Sequence, residues 1–202
     1  MDFAKVQAAL EQHGYAVTTF ATKEDAAAYL NREIDGVSVG FGGSMTLREM
    51  GLHESLPTHN ELWSHWEPRD GATPDEMRKK AMTTDVYLCS ANGLAETGEI
   101  INIDGTGNRV ASTLFGHKKV YFVVGRNKLA PTYDEALWRA RNIAAPKNAM
   151  RFNVKTPCVA NGGGKCFDCK SPARICKALV VFWDKPTCCD MEVVLIDEDL
   201  GY

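Results

Sequence analysis

The chain reads as an α/β protein built on a largely parallel sheet. Three observations predict this. Short apolar runs rich in Val, Ile, Phe and Tyr alternate with helix-period segments along the whole length. One of them, "KKVYFVVG" at 118–125, is apolar enough to be buried on both faces. Several of these runs end in glycine-rich polar loops. At 202 residues the chain fits one domain, and we read 1–202 as a single unit.

The first segment places Phe3, Val6, Ala9 and Leu10 on one helical face and stops at Gly14. "YAVTTF" (15–20) follows as a strand. Thr22 caps the next helix, with Glu24 and Asp25 in its first turn, where the helix dipole favours acid. "GVSVGF" (36–41) is the second strand and runs through glycines and Ser44 into a helical pattern. The stretch 57–74, polar and aromatic, reads as an irregular excursion or lid. "PDEMRKKAM" opens a helix with proline at its first position. "DVYLCSA" (85–91) is a strand, and "LAETGEIINID" (94–104) is two strands around a tight turn at Thr97-Gly98. "NRVASTLF" is a short helix. Ala136, Leu137, Ala140 and Ile143 line one face of a helix over 134–144 that halts before Pro146. "ALVVFW" and "MEVVLI" close the chain as a C-terminal β-hairpin around "DKPTCCD".

Composition is that of an ordinary soluble protein, 45% hydrophobic and 24% charged. A net charge of −3 gives no global basic field, so nucleic acid is not an expected partner. Arg78-Lys79-Lys80 and Arg139–Arg141 read as solvated helix faces. There is no secretory pattern at the start and no apolar run near the roughly 20 residues that span a bilayer. A cytoplasmic location with no membrane contact follows. There the seven cysteines, an odd number, stay reduced and form no disulfide framework. The five histidines match no metal pattern and read as surface or lid residues.

Three loops carry the functional expectation, because ligands of such sheets bind beyond the carboxyl ends of the strands. The first is "VGFGGSMT", with Gly42, Gly43, Ser44 and Thr46 at a helix start, where backbone N–H groups and hydroxyls can face an anion. It matches neither the Walker nor the dinucleotide glycine pattern. The second, "NIDGTGNR", holds Asp104, Gly105, Asn108 and Arg109. The third, "VVGRNK", places Gly125, Arg126, Asn127 and Lys128 directly after the buried strand. Converging on one sheet edge, they would hold a small anionic ligand, a carboxylate, phosphate or thioester, with Arg109 and Arg126 as bidentate clamps. Glu96, beside the tight turn, is the candidate catalytic base or nucleophile.

The stretch "CVANGGGKCFDCKSPARIC" gathers Cys158, Cys166, Cys169 and Cys176. Cys166-x2-Cys169 lets two thiolates grip one metal, and the other two lie near enough to complete a set of four. Zinc and an iron–sulfur cluster both take four thiolates. Spacing leaves them open, beside a redox-switch pair and unliganded thiols. Cys188-Cys189 is a separate vicinal pair, and Cys89 reads as buried and inert.

"GFGGSMTLREMGL", "SANGLAETGEIINIDGTGNRVA", "KKVYFVVGRNK", "ALWRARNIAAPKNA" and "GKCFDCKSPARIC" together resemble the LUD-domain, or lactate-utilisation, family across most of the chain. The resemblance implies a fold related to the ribose-phosphate isomerase and CoA-transferase group. It also implies a part in oxidation of L-lactate to pyruvate alongside iron–sulfur sister subunits, and tilts the cysteines toward an iron–sulfur cluster. The family pattern falls on Gly42, Gly43, Ser44, Thr46, Glu96, Asp104, Gly105, Asn108, Arg109, Gly125, Arg126 and Asn127. Glu96 is similar to the glutamate that attacks the thioester in related CoA transferases. The alternative it supports is a stand-alone transferase or isomerase acting on a thioester or sugar phosphate. A scaffold whose cysteines hold only structural zinc is a third reading. The sequence leaves a homodimer open.

Overall fold

Alternation in the central strands sorts apolar side chains between two cores, and this determines how the layers stack. The structure, a computed structural model, describes residues 3–69 and 71–202. The strands are β1 (Ala16–Phe20), β2 (Ser38–Phe41), β3 (Glu61–Trp63), β4 (Val86–Cys89), β5 (Gly93–Ala95), β6 (Ile100–Asp104), β7 (Lys119–Gly125), β8 (Leu129–Ala130), β9 (Ala178–Phe182) and β10 (Asp190–Ile196). The helices are α1 (Phe3–Gln12), α2 (Lys23–Glu33), α3 (Met45–Glu49), α4 (Leu52–Ser55), α5 (Pro74–Ala81), α6 (Asn108–Leu114), α7 (Tyr133–Arg139), α8 (Ala145–Arg151) and α9 (Pro157–Ala160).

The larger sheet is wholly parallel, in the order β1-β10-β7-β4-β2-β3. Val120, Phe122 and Val124 of β7 face one core, which includes Val6 and Leu10 of α1. Tyr121 and Val123 face the other, with Ala26 and Leu30 of α2. A smaller sheet, β8-β5-β6-β9, packs Leu94, Ile100 and Phe182 into the first core. Its opposite face, with Ala95, Ile101 and Ala130, packs on Ala136 and Ala140. The α/β class with a largely parallel sheet is thus as expected, and a second, mixed sheet is added to it.

Local signals held where they act locally. Thr22 accepts a hydrogen bond from Asp25 N, and Thr73 and Glu76 form a capping box in front of Pro74. The turn at Thr97-Gly98 joins antiparallel β5 and β6, with Gly98 at φ +102°.

Four expectations change. The excursion at 57–74 contributes β3, which pairs in parallel with β2 at the sheet edge. The helix expected to halt before Pro146 continues: a π-helical turn at Ala140–Ala144 leads into α8, where Pro146 stands in the first turn. The missing N–H of proline goes unused in that position. The C-terminal hairpin does not form. β9 pairs antiparallel with β6, whereas β10 inserts in parallel between β1 and β7. The run "MEVVLI", apolar on both faces, belongs inside a covered parallel sheet, and β9, exposed over its first residues, belongs at an edge. Finally, Arg139 is buried, and so are His53 and His117, because long-range packing covers them.

Candidate functional site

All six strands of the larger sheet point the same way, so their carboxyl ends share one edge. The segments that follow β2, β3, β4, β7 and β10 all line one cavity of about 500 Å³ there. β6 ends at its wall with Asp104, and α8 and residues 174–177 complete the enclosure. Among the described residues, six lysine and arginine side chains line it against one carboxylate side chain, Asp104.

That carboxylate is already engaged. Asp104 Oδ1 accepts from Thr106 N at 3.1 Å and Gly107 N at 3.0 Å, and Oδ2 accepts from Val110 N at 3.2 Å, which ties β6 to the start of α6. Burial works against its charge, but the Arg109 guanidinium and these backbone donors outweigh it and hold the carboxyl below its usual range. Arg109 is a brace and not a clamp. Nη1 donates to Ser90 O at 3.3 Å and to Asn102 Oδ1, and Nη2 donates to Asn92 Oδ1 at 3.2 Å and Ile103 O at 2.7 Å. One guanidinium fork thus joins the end of β4 to β6.

The glycines serve this brace. Gly42 N donates to Leu88 O, so it does not face a ligand, and a Cβ there would lie 2.8 Å from Arg109 Cγ. At Gly105 a Cβ would meet Ile175 O at 2.5 Å, so only glycine lets the 174–177 segment close on β6. Gly43 lines the cavity against the Trp66 ring. Ser44 also lines it and caps α3 by accepting from Leu47 N. Thr46 Oγ1 is buried, 3.3 Å from Ser90 Oγ and 3.2 Å from Leu200 O. Asn108 lines the cavity from the first turn of α6.

The third loop divides. Gly125 and Asn127 hold the C-terminal segment: Asn127 Oδ1 accepts from Leu200 N at 3.2 Å, and its amide donates to Gly201 O at 3.3 Å. Arg126 is exposed and pairs with Asp199 at 3.1 Å and Asp197 at 3.5 Å, outside the cavity. Its neighbour Lys128 points inward. The side chain is 3% exposed, lines the cavity and makes no hydrogen bond or ion pair with any described residue. Burial, then the nearby Arg139 charge, pushes its ammonium down to about 7. Arg139 itself donates to Asn127 O and Asn92 O, fixing both flanking loops.

Four further lining residues come from segments read otherwise in the sequence. The Arg78 side chain of α5 makes no hydrogen bond or ion pair with a described residue, and its Nε is buried. Arg151 of α8 lies 5.0 Å from the Trp66 ring centroid. His65 is held neutral, down to about 4, by burial and by the Arg78 and Arg151 charges. No periodicity announces these residues, since each reaches the cavity by tertiary packing alone.

Glu96 stands at the β5–β6 turn, where its backbone N donates to Ala130 O, and it does not line the cavity. The cysteine loop is organised around a guanidinium. Arg174 donates to Cys176 O at 2.7 Å, Cys169 O at 2.8 Å and Asp168 at 3.3 Å. Cys158, Cys166, Cys169 and Cys176 are free, half-buried thiols. Among the described residues no group of three or more Cys, His, Asp or Glu is placed to hold a metal ion. As arranged, the four thiols do not fit the tetrahedral set that zinc or an iron–sulfur cluster takes. Cys176 lines the cavity, and Cys188 and Cys189 lie with their sulfurs 3.5 Å apart near Leu114. Cys89 is buried as expected, its thiol pushed up to about 12 by burial.

The family model described as LUD domain matches residues 3–196. Among solved structures, a DUF162 family protein from Deinococcus radiodurans is similar in fold, with a TM-score of 0.55 at 12% identity. The match covers 96% of this chain and 95% of that one. No curated protein matches the sequence. No described helix is long and apolar enough to cross a membrane.

Proposed function

The chain belongs to the LUD-domain family, and from that premise we propose that it serves lactate utilisation by binding a small anionic ligand, a carboxylate or phosphate, in the cavity at the sheet's carboxyl edge. One observation carries this reading. Among the described residues the cavity has six cationic side chains against one carboxylate side chain already bonded within the protein, and the Arg78 side chain has no described partner. A buried guanidinium donor without an acceptor is costly unless a ligand supplies one. Trp66 and the neutral His65 line the same cavity and add no charge that competes with an anion. In this reading the protein works in the cytoplasm, and electrons from lactate pass to iron–sulfur partner subunits.

Titration calorimetry with L-lactate, pyruvate and inorganic phosphate tests it, on the wild type and on Arg78→Ala. At least one anion should bind, and Arg78→Ala should weaken that binding by about 10- to 100-fold, the worth of one or two charge-assisted hydrogen bonds. The melting temperature should not fall, since the variant removes a buried donor that lacks an acceptor. No binding by any of the three, or binding indifferent to Arg78, would refute the assignment.

A further inference from the structure

We propose that Lys128 is a covalent site, whose Nζ forms an imine with the carbonyl of a small 2-oxo acid held in the cavity. The proposal rests on the anion-binding reading above and adds a reaction to it. It starts from a contrast between Lys128 and four other enclosed cations, leaving aside Arg78, which shares its lack of a partner. Arg109, Arg139 and Arg174 spend their donors on backbone carbonyls and side-chain oxygens. Lys119 pairs with Glu192 at 2.7 Å. Lys128 is as deeply enclosed as any of them, yet it makes no hydrogen bond or ion pair within the described protein and lines the cavity. A lysine that only braced the fold would have an acceptor.

The charges around it favour the free amine, which is the nucleophilic form. Arg139, Arg109 and Lys147 disfavour its protonation. Glu49, which acts the other way, is itself bonded by Gly201 N at 2.7 Å. With burial these groups bring the ammonium down to about 7, which brings the free amine within reach at neutral pH. Arg78, across the same cavity, supplies the donor for a carboxylate. An amine and an unpartnered guanidinium in one enclosure of about 500 Å³ select a ligand carrying both a carbonyl and a carboxylate. In the reaction the Nζ lone pair adds to the carbonyl carbon. The carbonyl oxygen takes up the two protons that Nζ gives up and leaves as water, and a C=N bond replaces C=O. Nothing is oxidised or reduced.

The test uses the full chain and pyruvate as the probe. Pyruvate is incubated with the protein, borohydride is added to reduce any imine to a stable amine, and intact mass and peptide mapping follow. We expect one reduced pyruvyl adduct per chain, located on Lys128, saturating with pyruvate and suppressed by L-lactate, which lacks the carbonyl. Lys128→Met should show no adduct under the same conditions. If pyruvate binds but is not trapped, or if adducts spread over surface lysines equally in Lys128→Met, the imine is overturned and the anion-binding reading stands. If none of pyruvate, L-lactate and phosphate binds, both fall.

Discussion

Replacing Lys128 by methionine should stabilise the fold at neutral pH, and by an amount that depends on pH in a defined way. Methionine has a similar reach and no charge to desolvate. In the folded chain the ammonium, 3% exposed, falls from 10.5 to about 7. Between those values the unfolded chain keeps the proton and the folded chain releases it. The unfolded state therefore binds more protons, and the stability of the wild type rises with pH across the window. The destabilisation is complete below about pH 7. One pKa unit is worth 1.36 kcal/mol, so it amounts to about 5 kcal/mol in acid, ~4 kcal/mol at pH 7 and ~2 kcal/mol at pH 9, and it fades near 10.5. Guanidinium chloride unfolding of both proteins across this range measures the gap directly. Lys128→Met should be the more stable throughout, with the gap narrowing as pH rises and no change in slope. A gap independent of pH, or a variant less stable than the wild type at neutral pH, would refute the placement of a strained, unpartnered amine in the cavity.

The other outcomes follow from the loops around it. Arg109→Lys keeps the charge but loses the fork that joins β4 to β6, and should cost about 3 kcal/mol in denaturant midpoint analysis; a loss below about 1 kcal/mol would show that the brace is dispensable. Gly105→Ala drives a Cβ to 2.5 Å from Ile175 O, a backbone atom that can yield only by moving the 174–177 segment. It should lower stability by ~1–3 kcal/mol and loosen that segment in hydrogen exchange; unchanged exchange there would contradict the close approach. In thiol titration with a disulfide reagent, the half-buried cysteines should react in the native protein. Cys89 should react only on unfolding, because it is fully buried and its thiol is pushed up to about 12. Labelling of Cys89 in the native state would refute its burial in β4.

The sequence by itself determined what depends on neighbours a few residues away. A continuous apolar run made β7 a buried strand, Thr22 and Pro74 marked helix starts through bonds and torsions within one turn, and Gly98 marked a hairpin tip. The placement of glycine loops after strands pointed to the sheet edge where the cavity lies, and eight of the residues named there, Gly43, Ser44, Thr46, Asp104, Gly105, Asn108, Arg109 and Lys128, line it. Their roles were not legible. Whether an arginine braces, pairs in solvent or faces a ligand depends on which acceptors come within about 3 Å of it, and those lie on other elements. Arg109 meets Ser90, Asn92, Asn102 and Ile103, Arg126 meets Asp197 and Asp199, and Arg78, read as part of a solvated face, meets the cavity. The parting of β9 and β10 into different sheets was likewise hidden, since each pairs with a strand more than sixty residues away. Lys128 shows the division most sharply. Its place after a buried strand is written in the chain, but its burial in the cavity without a bonded acceptor among the described residues is a property of the packed molecule, because only the fold decides which groups come within reach of Nζ.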